Sequence, residues 1–536
     1  MSKNNPKNTV LDVLIVGAGF AGMYMLYKFR EQGLSVQVLD EASGVGGTWY
    51  WNRYPGARCD VESMEYSYSF SDDLQQEWNW SHRFSTQPEI LKYANHVADR
   101  FSLRESIEFE SRVESMAYSD QDNLWVTVTD SGAVYKSRYC VMATGTLSSV
   151  NKPQFKGIAV FKGESYVTGR WPHESVDFSG KKVAIIGTGS SAVQAIPVIA
   201  AEAKKLTVFQ RTANYSIPAQ NRPLSSEEIE EVKAEYPEIR AKARSNRAGI
   251  ASMEIGPHSA LDVGDTDRNA EFNRRWHEGG TNFLAAYNDI GINANSNKKA
   301  ADFVISKIHE AVKDPEVADL LSPTNTIGCK RLCADTDYYE TYNRENVSLV
   351  DVNKTPIERI VEEGVKTSDK VYEFDIIIFA IGFDAMTGAL MAIDIKGRDG
   401  YSLKEKWTNG PRTFLGLCSE RFPNMFMITG PGSPSVLSNM MTSIEQHVEW
   451  ISECVSYMYS NGYSAIEPII DSENKWMDHV EEIAADTLRY SCNSWYVGAN
   501  IPGKKRIFLP YAGGLPQYTD KCNEVVASEY EGFSIS

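Results

Sequence analysis

Apolar, largely β-branched residues gather along this chain in short runs that stop at glycine, and two stretches repeat one pattern. Val13-Leu14-Ile15-Val16 runs into Gly17-Ala18-Gly19-Phe20-Ala21-Gly22, and the next apolar run, Val36-Gln37-Val38-Leu39, ends in Asp40. Val183-Ala184-Ile185-Ile186 runs into Gly187-Thr188-Gly189-Ser190-Ser191-Ala192, and its next run, Leu206-Thr207-Val208-Phe209, ends in Gln210-Arg211-Thr212. A strand, a glycine turn and a helix-compatible stretch make a dinucleotide-binding unit, because the glycines permit a tight turn and let the backbone approach a pyrophosphate at the helix N-terminus. The pattern predicts an α/β fold with two Rossmann-like dinucleotide-binding domains.

The residue closing each second strand separates the two units. Asp40 would accept from ribose hydroxyls, which suits FAD, whereas Arg211 offers a cation to the 2′-phosphate of NADPH, where an acid would repel it. A flavin and NADPH on one chain imply hydride transfer between them.

Later segments set the organisation. Cys140-Val141-Met142-Ala143 ends in Thr144-Gly145, and Phe374-Asp375-Ile376-Ile377-Ile378-Phe379 ends in the similar Ala380-Ile381-Gly382, which suggests two crossings between domains. Ser225-Ser226-Glu227-Glu228 has the shape of a capping box, and the charged, periodic run beyond it predicts helices through about Leu321. Asn424-Met425-Phe426-Met427-Ile428 leads through Thr429-Gly430-Pro431-Gly432 to a long helix expected from about Ser438, whose N-terminus would face the isoalloxazine. The expected division is residues 1–146 and 384–536 for the FAD-binding domain, 147–220 and 326–383 for the NADP-binding domain, and 221–325 for an inserted helical subdomain.

Composition narrows the function classes. A chain of 536 residues, 42% of them hydrophobic, has material for several domain cores. Its net charge of −17 makes nucleic acid and anionic membrane poor partners. Met1 to Asn8 lacks an apolar core and no 18-residue apolar run occurs, so neither a signal peptide nor a membrane span is expected. Eight cysteines without a CxxC pair are expected to be reduced thiols in a cytoplasm, with Cys329 and Cys333 flanking a site, and eight histidines without ligand spacing make a metal unexpected.

Between the two units stands Phe161-Lys162-Gly163-Glu164-Ser165-Tyr166-Val167-Thr168-Gly169-Arg170-Trp171-Pro172, and after the first comes Gly46-Gly47-Thr48-Trp49-Tyr50-Trp51-Asn52-Arg53-Tyr54-Pro55-Gly56-Ala57-Arg58-Cys59-Asp60. These resemble the FxGxxxHxxxWP fingerprint and the second signature of type I Baeyer–Villiger monooxygenases. With Lys330-Arg331 and Ser494-Trp495-Tyr496, the likeness extends over nearly the whole chain. Two positions depart from it. Val167 replaces the fingerprint histidine and can neither donate nor accept a hydrogen bond. Ile381 stands where relatives usually carry threonine, a change expected to alter only local packing.

The resemblance implies a reaction and a set of sites. NADPH reduces FAD, dioxygen adds at flavin C4a, and the resulting peroxyanion attacks a ketone to give an ester or lactone; the oxidising chemistry is the flavin's. Arg331 becomes the fixed cation that stabilises anionic species, with Asp60 holding its guanidinium. Gly17, Gly19, Gly22, Asp40, Gly47, Thr48, Trp49, Asp60, Tyr66 and Met440 fall where relatives touch FAD. Gly187, Thr188, Gly189, Ser190, Ser191, Arg211, Thr212, Lys330, Arg331 and Trp495 fall toward NADPH, Trp495 on a loop that folds over the nicotinamide. Ser435, Val436 and Leu437, beside Pro434, line the substrate pocket. Two rivals share the two-unit plan. A disulfide reductase needs a redox cysteine pair after the first unit, where only Cys59 is present. A flavin-containing monooxygenase acting on sulfides or amines is the alternative, against which Trp171-Pro172 weighs. The ketone itself and the oligomeric state stay open at this point.

Overall fold

The computed structural model describes residues 10–536, so the expectation for Met1 to Asn8 lies outside the described residues. Strand Leu11–Val16 lies inside an eight-stranded sheet, paired in parallel with Val36–Leu39 on one side and Val134–Met142 on the other, so that Ile15 faces both Val38 and Val141. Strand Lys182–Ile186 repeats this arrangement in a five-stranded parallel sheet, where Ile185 faces Val208 and Ile378. Because side chains alternate across a strand, each apolar run feeds two cores. Val13 and Ile15 pack with the helices Phe20–Glu31 and Met440–Ser460, while Leu14 and Val16 pack with Met116, Trp125 and Met142 behind the sheet. In the second sheet Val183 and Ile185 serve one core and Ala184 and Ile186 the other.

Each sheet is assembled from distant parts of the chain. Asp394–Lys396 and Met425–Met427 return to the first sheet, beside Val113–Ser119 and Val134–Met142 respectively. Val347–Asp351 and Ile376–Phe379 return to the second. Between the two visits to the second sheet run the helices Ser226–Ala234, Tyr236–Ser245, Asp265–Glu278, Ala294–Ala311 and Pro315–Leu321. The first of these is started by a capping box in which Ser225 and Glu228 satisfy each other's backbone N–H.

Two sequence expectations are corrected. The long helix begins at Met440 rather than near Ser438, because the Asn439 side chain accepts from the Met441 N–H and caps the helix there. The cysteines are not all reduced: Cys329 is bonded to Cys492, with Cα atoms 6.0 Å apart, while the other six are free and buried. A partner 163 residues away leaves no spacing signature in a sequence. Among the described residues, no helix is long and apolar enough to cross a membrane.

Ile185 is fully buried at the centre of the second sheet. Ile185→Ala is expected to destabilise the fold by about 2–5 kcal/mol through lost burial and a residual cavity, read as a lower thermal midpoint than that of an exposed control, Val198→Ala.

Candidate functional site

The two glycine turns are built alike, and each is shaped by the strand beside it. Gly17 has φ +109°, and a Cβ there would stand 2.4 Å from the Ala143 carbonyl oxygen; Gly187 has φ +116°, with its Cβ position 2.3 Å from the Ala380 carbonyl oxygen. Only glycine meets both the angle and the approach. The repeated Ala-x-Gly strand ends are thus the surfaces on which the turns rest. At Gly22 a Cβ would lie 1.8 Å from the Gly17 carbonyl oxygen, so helix and turn are in direct contact.

Helices Phe20–Glu31 and Ser190–Glu202 start at Gly19 and Gly189 with no capping side chain and no acid in the first turn. Their first N–H groups and positive dipole ends fit a pyrophosphate. Gly47 packs against Gly19, its Cβ position 3.0 Å from the Gly19 Cα, and Thr48 opens the short helix Thr48–Trp51. The Trp49 indole N–H donates to the Tyr66 hydroxyl at 3.1 Å, and Tyr66 stands edge-on to Phe20. Asp40 accepts from the Ala18 N–H at 2.5 Å and the Ala42 N–H at 2.7 Å, so it braces the first glycine turn. Each of its oxygens retains a lone pair for a ribose hydroxyl.

The second unit ends in cations rather than an acid. Neither Arg211 nor Lys330 forms an ion pair among the described residues. Burial first, and then the neighbouring Arg211 charge, hold the Lys330 ammonium below its ordinary range. Two positive groups within reach of one another, without a carboxylate, fit a phosphate monoester. Arg211 and Thr212 are exposed, and the Thr212 carbonyl accepts from the Thr188 hydroxyl at 2.9 Å. Ser190 contacts the buried Cys333 thiol at 3.2 Å, and Ser191 opens the same helix beside it.

Between the units, Arg331 and Asp60 form a bidentate ion pair: Nε donates to Oδ2 and Nη2 to Oδ1, both at 2.8 Å. The third arm, Nη1, donates to the Val436 carbonyl at 2.9 Å. One guanidinium therefore ties the second signature to the loop Ser435–Leu437. The Asp60 charge raises the Arg331 pKa further despite burial. For Asp60, burial pushes the carboxyl up, but the Arg331 charge and hydrogen bonds outweigh it and hold it below its ordinary value of 3.8. The two side chains remain 33% and 21% exposed, so the pair is partly screened yet open to a reactant. A narrow cleft runs from Asp60 past Ile250, Ser252 and Asn282.

On the other side of the guanidinium lies an apolar cluster. Val436 packs there with Met386, Tyr496 and Phe508, and Leu437, Met440 and Trp495 close over it. Ser435, buried with φ +43°, turns its hydroxyl onto the Met386 sulfur at 3.6 Å. Three of these residues escaped sequence reasoning. Tyr496 is marked only by its neighbour Trp495, while Met386 and Phe508 sit in segments without periodicity. Arg489, also missed, donates to the Gly328 carbonyl at 3.3 Å and lies over the Tyr496 ring.

The fingerprint stretch joins the two units. Val167 ends strand Glu164–Val167 opposite Phe379, and both Val167 and Ile381 pack against the core that holds Ala184 and Phe379. Arg170 pairs with Glu41, next to Asp40, and its guanidinium carbon lies 3.9 Å from the centre of the Trp51 ring.

A sequence profile described as pyridine nucleotide-disulphide oxidoreductase matches residues 14–266. The cysteine that follows the first unit, Cys59, is buried and free. A Baeyer–Villiger monooxygenase of Pseudooceanicola batsensis is 42% identical over 98% of this chain and 95% of its own. A solved oxidised steroid monooxygenase bound to NADP superposes with a TM-score of 0.95 at 48% identity, covering 98% of this chain and 99% of its own. Cyclohexanone monooxygenase from Rhodococcus sp. Phi1 bound to NADP+ does so with a TM-score of 0.96 at 42% identity and the same coverage. The uncapped turns, the acid-free cation pair and the Asp60-bound guanidinium thus occur in a full-length match, and the chain belongs to the Baeyer–Villiger monooxygenases.

Proposed function

We propose that the first glycine turn binds FAD, that the second binds NADPH, and that the chain inserts one atom of dioxygen beside a ketone carbonyl to give an ester or lactone. The observation that carries the reading is the bidentate Asp60–Arg331 pair, whose guanidinium also reaches the Val436 carbonyl at the edge of an apolar cluster. FAD, when bound, supplies the oxygen-activating redox chemistry, with electrons from NADPH.

The protein's own contribution is electrostatic. Negative charge gathers on oxygen as a carbonyl is attacked, and a cation fixed beforehand stabilises it without reorganising solvent. Arg331 is such a cation because Asp60 holds two of its donors and keeps it charged at any working pH. We assign the catalytic roles to this pair. Gly17, Gly19, Gly22, Asp40, Gly47, Thr48, Trp49, Tyr66 and Met440 are assigned to FAD. Gly187, Thr188, Gly189, Ser190, Ser191, Arg211, Thr212, Lys330 and Trp495 are assigned to NADPH. The apolar cluster beside Ser435, Val436 and Leu437 favours a ketone of low polarity and excludes water that would discharge the reactive oxygen. The same reading divides the chain into an FAD domain of residues 1–146 and 384–536, an NADP domain of 147–220 and 326–383, and a helical insertion between them. It places the enzyme in the cytoplasm, where six unpaired buried cysteines are at home.

FAD-loaded protein incubated with NADPH, air and a panel of ketones, sulfides and amines tests the reaction. Products one oxygen heavier than the ketones, identified as esters or lactones, are expected; sulfide or amine oxides alone would overturn the reading. Arg331→Ala is expected to lower ester formation by about 100–1,000-fold, while bleaching of the oxidised flavin band by NADPH persists. Arg211→Ala and Lys330→Ala should each raise the KM for NADPH by about 10–100-fold, as expected for a lost charge-assisted hydrogen bond, with little change for NADH.

The pH dependence of the pair has a definite sign. Asp60 is held below its ordinary value, so its stabilisation is present above that value and is lost as pH falls through the folded one. The stability gap between wild type and Asp60→Asn should be constant at neutral pH and close below about pH 4, as urea midpoints across pH would record.

A further inference from the structure

We propose that Cys329–Cys492 is a reversible redox latch, which when closed fastens the Trp495 segment to the segment carrying Lys330 and Arg331, and when reduced lets it go. The bond joins parts of the chain 163 residues apart. Cys329, 1% exposed, immediately precedes Lys330 and Arg331. Cys492 lies three residues before Trp495, half-buried between the exposed Ser491 and Asn493.

The Trp495–Val497 turn is seated in the apolar cluster with Val436, and Tyr496 and Val497 are buried, whereas the stretch before it, from Leu488 to Asn493, is half-buried or exposed. From Leu488 to Gly498 the segment forms only two short 3-10 turns, Leu488–Ser491 and Trp495–Val497. Its polar contacts to the Cys329 side are a 3.3 Å bond from Arg489 to the Gly328 carbonyl and a 2.8 Å exposed bond from Ser491 to the Thr326 hydroxyl. The stretch from Leu488 to Asn493, with few internal hydrogen bonds and no buried residue, opens at lower cost than the turn that follows, and a covalent strap across it then governs whether it opens.

The placement of the eight sulfurs suits a switch. The six free cysteines are buried, and burial pushes the thiols of Cys333 and Cys522 up to about 12, which makes them poor nucleophiles. Of the eight cysteines, Cys492 is the one residue that is not buried. A dithiol attacks Cys492 Sγ, the S–S bond breaks, and Cys329 leaves as a thiolate that then takes up a proton. The mixed disulfide resolves when the reductant's second thiol displaces Cys492. The reductant ends as a disulfide, and the protein gains two electrons and two protons.

Closure runs the other way. The Cys492 thiolate takes an oxygen from hydrogen peroxide to give a sulfenic acid, and Cys329 displaces it as water. In balance, two thiols and one hydrogen peroxide give one disulfide and two waters. Hydrogen peroxide is what a reduced flavin and dioxygen yield when no substrate intercepts the oxygen, so idle turnover would itself close the latch. A disulfide that cycles in this way is the kind a cytosolic enzyme keeps.

The test begins with the bond alone. Wild type treated with hydrogen peroxide, or with dithiothreitol, is alkylated under denaturing conditions and mapped by mass. A peptide pair linking Cys329 to Cys492 should be present after peroxide, vanish with dithiothreitol and return on re-oxidation; two alkylated cysteines after peroxide would overturn the proposal. Limited trypsin digestion then reads the latch through Arg489, Lys504, Lys505 and Arg506. Cleavage should be several-fold faster in reduced wild type, in Cys492→Ser and in Cys329→Ser than in the oxidised protein, and equal rates would also overturn it. The effect on turnover rests on the position proposed for Trp495. If linkage and digestion respond but the ester formed per NADPH consumed does not, the latch stands and the assignment of Trp495 falls.

Discussion

A guanidinium can be held among apolar side chains only if its charge is matched and its donors are used, and that constraint organises this molecule. Arg331 spends two arms on Asp60 and one on the Val436 carbonyl. The three partners come from the second signature, the segment after the helical insertion, and the loop before the helix Met440–Ser460. Removing Asp60 would leave a half-buried cation unmatched, which costs more than the pair itself contributes. The pair is best understood as a register device: it sets where three separate chain segments meet, and an apolar cluster then fills one side of the meeting point.

The glycine turns depend on a similar economy of space. Each rests against the carbonyl of an alanine that ends a neighbouring strand, Ala143 in the first sheet and Ala380 in the second. Those strands arrive in parallel register with the strand feeding the turn. The sheet pairing therefore fixes both the height of the turn and the direction of the helix that follows. An uncapped helix start leaves its first N–H groups without side-chain partners, the groups that a pyrophosphate would use.

Much of this was legible in the sequence because it is local. Four apolar runs, two glycine turns and the Ser225–Glu228 capping box are each encoded within a few residues, and the side-chain alternation that feeds two cores follows from the strand period. Asp60, Lys330 and Arg331 could be named from a family likeness, but periodicity says nothing of a pair 271 residues apart. What escaped has the same character. The Cys329–Cys492 bond, the contact of Arg489 with Gly328, and the gathering of Met386, Tyr496 and Phe508 all join distant segments through loops without a pattern. The long helix starts two residues beyond the expected point because the Asn439 side chain accepts from the Met441 N–H and caps it there.

The two departures from the family pattern turn out to be physically related. Val167 ends one strand, Ile381 follows the end of the adjacent parallel strand Ile376–Phe379, and both pack against the core that holds Phe379 and Ala184. A lone histidine or threonine facing that core would need a hydrogen-bond partner, whereas two aliphatic side chains need only contact. Replacing both leaves no polar group unmatched. Beside these strand ends Arg170 reaches the first unit, through contacts to Glu41 next to Asp40 and to Trp51 within the second signature. The strand ends are held by aliphatic packing within the second unit, and the contact that Arg170 makes from the same stretch to the first unit is made by charge.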